Sequence, residues 1–147
     1  MSDVIVDTSL AVKWVLPESH SDVALALAAR WRRGQRTIIV PAWFACEVAN
    51  VFFQRIRQRS ITLADAQDLL VEIMVAVRPV DVSTVVGSRA LEIAHSLGQR
   101  ANYDAYYLAL AEHLDCELWS ADERFWRAAH PVFPWARWIG EETLGHS

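Results

Sequence analysis

Lysine is almost missing from this chain: thirteen of its fourteen basic residues are arginine, and Lys13 is the exception. Cysteine is nearly as scarce. Cys46 and Cys116 lie in apolar contexts with no metal-ligand spacing and are expected to be buried free thiols in a reducing compartment. The five glycines build no G-x-G-x-x-G, no Walker loop and no G-x-S-x-G elbow, which excludes dinucleotide, P-loop and serine-hydrolase chemistry. His20, His95, His113, His130 and His146 show no ligand spacing and are expected on polar surfaces or near termini. No apolar run reaches membrane-spanning length, and no basic segment followed by a long apolar stretch opens the chain. A soluble, cytoplasmic protein without membrane contact is the expectation.

What is abundant is apolar surface. Hydrophobic residues make up 53% of the chain, seven of them tryptophan, so some apolar area is left for a partner. At 147 residues one domain, 1–147, is expected. A chain of this size buries roughly 70% of its unfolded surface and needs no covalent staples. The net charge of −4 argues weakly against nucleic-acid binding, but the distribution matters more than the sum. Arg30, Arg32, Arg33 and Arg36 cluster in "RWRRGQR", and Arg55, Arg57 and Arg59 in "RIRQR". Guanidinium suits phosphate, and equally these are cations at the ends of solvated helices.

Short apolar runs alternate with longer stretches of helical period, the pattern of a parallel sheet flanked by helices. Strands are expected at Val4–Asp7, Thr37–Val40, Arg78–Val82 and Glu117–Ser120, with an edge strand near Trp135–Ile139 behind Pro131 and Pro134. Helices are expected at Ser9–Leu16, Ser21–Arg33, Ala42–Arg57, Leu63–Val77, Thr84–Leu97, Tyr103–Leu114 and Asp122–Ala129. Pro41 suits the first position of its helix, and Gly34 and Gly98 suit helix stops. The expected fold is a single-domain, three-layer α/β/α arrangement on a mainly parallel sheet of about five strands. Ligands of such sheets gather beyond the carboxyl ends of the strands.

Four carboxylates stand apart from other charges. Asp7 ends the first strand and is the only charge between Asp3 and Lys13. Glu47 is the only charge between Arg36 and Arg55, with Trp43, Phe44, Asn50 and Val51 as its helical neighbours. Asp104 is the only charge between Arg100 and Glu112, and Asp122 follows the fourth strand. Each has an ordinary explanation. Asp7 and Asp122 suit helix caps, and Asp104 suits a first helical turn, although Asn102 is placed to cap that helix. Glu47 has the weakest such explanation, because a lone acid among aromatics costs several kcal/mol by order of magnitude.

If the four converge, their repulsion requires a counter-charge that no neighbouring lysine or arginine supplies. A hard divalent cation would supply it, magnesium or manganese, held by a few carboxylates plus substrate phosphate. Ser9 and Ser120 would orient the acids or the metal's waters. The matching reaction is metal-assisted phosphodiester hydrolysis. The arginine clusters, Arg30, Arg32, Arg33 and Arg36 among them, would then track the phosphodiester backbone, and exposed tryptophans would stack on unpaired bases. For Trp14, Trp43 and Trp119 core packing is the expectation.

"VIVDTSLAVKW", the lone Glu47, "YDAYYLALAE" and "LWSADERFW", in this order and spacing, resemble the PIN-domain ribonucleases and in particular the VapC toxins of toxin–antitoxin pairs. The resemblance runs from Asp3 to about Ile139. It implies that Asp7, Glu47, Asp104 and Asp122 form an acidic metal-binding catalytic site for Mg2+ or Mn2+. It also implies an RNA substrate, a homodimer and inhibition by a cognate VapB-like antitoxin. Ser120 stands where threonine is common, so the hydroxyl is kept. The arginine clusters match no motif of the family. A haloacid-dehalogenase-like phosphatase needs a second acid where Ser9 stands, and a receiver domain needs a late lysine that is missing. A catalytically inactive PIN-like module that binds RNA or protein is the remaining alternative.

Overall fold

Val4–Val6 is buried on both faces, each residue 0% exposed, which is how a central parallel strand must read. In the computed structural model, which describes residues 3–98 and 103–144 (side chains only to 142), this segment is β1 at the centre of a five-stranded sheet. The other strands are β2 (Ile38–Pro41), β3 (Arg78–Val80), β4 (Glu117–Ser120) and β5 (Ala136–Trp138). Their order is β3-β2-β1-β4-β5, and every pairing is parallel. The helices are α1 (Thr8–Ala11), α2 (Ser21–Arg33), α3 (Phe44–Arg57), α4 (Leu63–Ala76), α5 (Thr84–Leu97), α6 (Tyr103–Leu114), α7 (Glu123–Ala129) and α8 (Gly140–Leu144).

Side-chain alternation along the strands divides the interior in two. Val4, Val6, Ile38, Val40 and Trp119 point into one core with α1 to α4, where Trp31 meets Trp119 edge-on at 5.9 Å. Ile5, Ile39 and Leu118 point into the other, against α5, α6 and α7. The layered α/β/α architecture and the parallel five-stranded sheet are as expected.

Several local expectations are corrected. Pro41 does not open a helix but ends β2, opposite Val80, and α3 starts at Phe44. At Pro41 the pairing with β1 has already ended, so the missing N–H disrupts no ladder there. Similarly, Pro79 is tolerated because β3 is an edge strand. The first helix gives way to a 3-10 turn at Val12–Trp14 instead of reaching Leu16, and Val15, at φ −124°, has already left helical geometry ahead of Pro17. Gly34 and Gly98 do stop their helices; Gly98 uses a left-handed φ of 66°. α8 is too short to show a hydrophobic period and was not expected.

Cys46 is exposed, not buried, because α3 turns Phe44, Val48 and Phe52 inward and Cys46 away. Cys116 is buried as expected. Trp119 is a core residue, whereas Trp14 and Trp43 are only partly buried at the edges of the two cores. Asn102 and His146 lie outside the described residues. No helix among the described residues is long and apolar enough to cross a membrane.

Candidate active site

The strand order reverses direction at β1, with β2 on one side and β4 on the other, and in open parallel sheets ligands bind beyond the carboxyl ends at such a switch point. Asp7 leaves β1 there. β1 and β4 run level, with Val6 opposite Trp119 and the Asp7 N–H donating to the Trp119 carbonyl at 3.1 Å. Ser120 and Asp122 therefore arrive beside Asp7. Glu47 lies in the first turn of α3, which starts just after β2 ends.

Asp104 reaches the same place by a less direct route. A two-residue turn through Asp115, at φ 53°, joins α6 to β4 and makes the helix run antiparallel to the strand. Twelve residues of helix span ~18 Å and four of strand ~13 Å, so the first turn of α6 stands just past the end of β4.

Hydroxyls tie the acids together. Ser9 Oγ donates to Asp7 Oδ1 at 2.7 Å, and the Leu10 N–H donates to the same oxygen at 3.1 Å. Ser9 Oγ also stands 3.3 Å from Ser120 Oγ and accepts from the Ala121 N–H at 3.1 Å. Ser120 Oγ accepts from the Asp122 N–H at 3.0 Å. Both serines thus link β1 to the loop after β4. Asp7 and Asp122 each cap a helix as well, Asp122 accepting from the Phe125 N–H at 3.1 Å. Glu47 Oε1 accepts from Thr8 Oγ1 at 2.9 Å and from the Tyr107 hydroxyl at 2.6 Å. Sequence reasoning missed Thr8 and Tyr107 as parts of the site, although Tyr107 follows Asp104 by three positions and so shares its helix face.

Exposure rises outward, from Asp7 at 6% through the half-buried Glu47 and Asp104 to the exposed Asp122. Desolvation pushes Asp7 up to about 7; the Ser120 and Ser9 hydroxyls and the Leu10 N–H oppose this, and the charge of Asp104 adds to it. Asp104 is pushed up to about 6, first by desolvation and then by the charges of Asp122 and Glu47. Asp104 therefore feels all three of the other acids.

Among the described residues none of the four enters an ion pair; every ion-paired carboxylate belongs to another residue. Hard oxygen donors with mutual repulsion and no counter-cation fit a divalent metal in charge and chemistry. Among the described residues no group of three or more acidic, histidine or cysteine side chains stands close enough together to hold a metal ion. A cation here would be held by one or two carboxylates at a time, with water and substrate phosphate as its other ligands, as magnesium commonly is.

The arginines are not brought to these acids. Arg36 donates to the Asp3 carbonyl and stands 3.6 Å from Glu117, at the amino ends of β1 and β4. From Asp3 to Asp7 the strand covers ~13 Å. Arg30 pairs with Glu142 at 3.5 Å, and Arg32 and Arg33 are exposed on the last turn of α2. Arg55 pairs with Glu18, which Lys13 also approaches at 3.4 Å. A groove of about 630 Å³ lies near that amino end too, lined by Leu25, Ile73 and Val75 with Arg32, Arg36 and Arg78. It is separate from the acidic crevice.

A family model described as PIN domain matches residues 4–131. Among solved structures, the chain is similar to PAE2754 from Pyrobaculum aerophilum, with a TM-score of 0.67 and 17% identity over 98% of this chain and 88% of that one. At that identity the likeness shows the fold. No curated protein matches the chain.

Proposed function

We propose that this chain, which belongs to the PIN-domain family, is a metal-dependent endoribonuclease and the toxin of a VapBC-type pair. PIN domains are generally nucleases, and the observation that carries the reading here is the set of four carboxylates without ion pairs. They come from four separate elements around the switch point of the sheet, and in this reading they act together on one cation site. Asp7, Glu47, Asp104 and Asp122 would hold Mg2+ or Mn2+. When bound, such a cation neutralises phosphate charge and lowers the pKa of a water for in-line attack.

The chain's own residues set that chemistry up. β1 fixes Asp7 on a rigid support, and Ser9 and Ser120 hold it against the loop of Asp122. The desolvated floor at Asp7 strengthens every charge interaction made there. The open rim at Asp122 leaves room for a phosphodiester backbone. A homodimer and a VapB-like antitoxin are part of this reading, and the exposed Leu25, Val71 and Val75 are apolar surface available to partners. The antitoxin would silence the enzyme by placing a cationic side chain among the acids. The substrate is cytoplasmic RNA.

The purified chain is expected to cleave single-stranded RNA in Mg2+ or Mn2+ and to stop when a chelator is added. Cleavage that persists in the chelator sinks the metal mechanism. Metal-dependent RNA binding without cleavage would instead establish an inactive binding module.

The arginines at the far end of the sheet are proposed to contact the RNA backbone away from the scissile phosphate. Replacing Arg30, Arg32 and Arg33 with alanine should weaken RNA binding and flatten its logarithmic salt slope by ~2, at ~0.7 per single-strand phosphate contact. The turnover rate at saturating RNA should be unchanged. Filter binding across a salt series together with steady-state kinetics checks both; unaltered affinity returns the cluster to a solvated helix end.

A further inference from the structure

We propose that Tyr107, with Thr8, is a positioning residue that fixes the Glu47 carboxylate for cation binding. The inference rests on the reading of the four acids as a cation site and adds two residues to it. Tyr107 is 2% exposed, and its hydroxyl stands 2.6 Å from Glu47 Oε1 and 3.2 Å from Thr8 Oγ1. Thr8 Oγ1 donates to the same Oε1 at 2.9 Å. Both donors converge on one oxygen, and no hydrogen bond among the described residues reaches Oε2. One oxygen is committed to the protein and the other is left to a ligand.

The three residues also sit where they join the acid-bearing elements. Thr8 follows Asp7 at the end of β1, Glu47 belongs to α3, and Tyr107 lies one turn after Asp104 on α6. The triangle therefore sets the spacing of three acids at once. Its donors are neutral, which is the chemistry the site needs. An arginine or lysine here would orient Glu47 equally well but cancel the charge that attracts a cation.

Tyr107 itself is held from outside the triangle. Trp43 meets its ring edge-on at 5.3 Å, and also meets Tyr103 at 5.4 Å and Tyr106 at 5.8 Å. The aromatic packing leaves the Tyr107 hydroxyl little freedom to leave Glu47.

A buried tyrosine needs some hydrogen-bond partner, so a purely structural role has to be separated from a positioning one. Mn2+ alone, measured by isothermal titration, is the probe. Tyr107→Phe keeps the ring packing and should raise the Mn2+ dissociation constant ~10-fold, as loss of a ligand's supporting contact does elsewhere. In a Glu47→Gln background the same change should add less than about twofold, because the carboxylate it positions is gone. Thr8→Val should weaken Mn2+ binding and Thr8→Ser should restore it, which gives a second route if Tyr107→Phe folds poorly. Mn2+ binding unaltered by both Tyr107→Phe and Thr8→Val overturns the inference. So does an equal loss from Tyr107→Phe with and without Glu47. No Mn2+ binding by the unmodified chain overturns the cation reading as well, so the two failures are told apart.

Discussion

Asp7→Asn is expected to lower metal-dependent RNA cleavage by ~10³-fold or more while leaving the fold intact. The two halves of this expectation come from different properties of one side chain. As a cap, Asp7 uses Oδ1 to accept from the Leu10 N–H and from Ser9 Oγ. Asparagine keeps an oxygen for both and is an equally good cap. As a ligand, Asp7 offers a full negative charge in a desolvated position, and asparagine offers none. Removing several kcal/mol of metal-based charge stabilisation corresponds to the stated loss, at 1.36 kcal/mol for each factor of ten. Single-turnover cleavage with Mg2+ and with Mn2+, next to a circular dichroism spectrum, is the measurement. Cleavage within a few-fold of the unmodified chain would remove Asp7 from the mechanism.

The parts of this site that are legible in the sequence are those where a charge contradicts its surroundings. An acid directly after "VIV" and a glutamate amid "WFACEVANVFF" are costly placements, and that cost is what singles them out as candidates in the sequence. The placement of Asp7 and Asp122 beyond neighbouring strand ends follows from the parallel pattern once the sheet is granted. The contact between the β1 and β4 ends does not, because strand order is a tertiary fact.

Tyr107 was hidden for the opposite reason. In "YYLALA" a tyrosine reads as one more core residue, and nothing local says that its hydroxyl meets an acid sixty positions away. The spacing of three from Asp104 was the one usable signal. The arginines show how linear clustering misleads about location. α2 follows a strand and must return to the amino edge of the sheet, so its last turn, with Arg30, Arg32 and Arg33, ends away from the acids. Connectivity, rather than composition, carries that information.

The metal-free chain is expected to lose stability as pH rises from 5 to 8, against the usual trend for carboxylates. The sign follows from where the protons sit. Burial raises Asp7 from its ordinary 3.8 to about 7 in the folded chain. Near pH 4 and below, the folded chain keeps the Asp7 carboxyl neutral at no electrostatic cost. Between there and pH 7 the unfolded chain ionises while the folded chain holds its proton, so the folded state binds more protons and each rise in pH destabilises it. Above pH 7 both forms are ionised and the loss has levelled off.

Asp104, raised to about 6, acts in the same direction and ends earlier. Glu112 is shifted downward by its hydrogen bonds to Arg89, so its stabilisation fades only as pH falls below the ordinary carboxylate range, outside this window. A shift of this size at a fully buried group is on the order of 4 kcal/mol in all, of which about two of the three pKa units, roughly 3 kcal/mol, are lost between pH 5 and 8. For a domain of this length that corresponds to a fall of ~10 °C in Tm. Thermal melts in a chelator from pH 5 to 8 should therefore slope downward for the unmodified chain and run much flatter for Asp7→Asn. At pH 8 the variant should melt higher than the unmodified chain. Asp104→Asn should likewise leave the metal-free melt unchanged or raised and remove the gain from added magnesium. A flat profile for the unmodified chain would mean that Asp7 is already compensated, and the electrostatic need for a cation would disappear with it. A falling profile that Mg2+ or Mn2+ levels at pH 8 would instead show that the carboxylates destabilise the fold until a cation joins them, which ties stability and catalysis to the same four side chains.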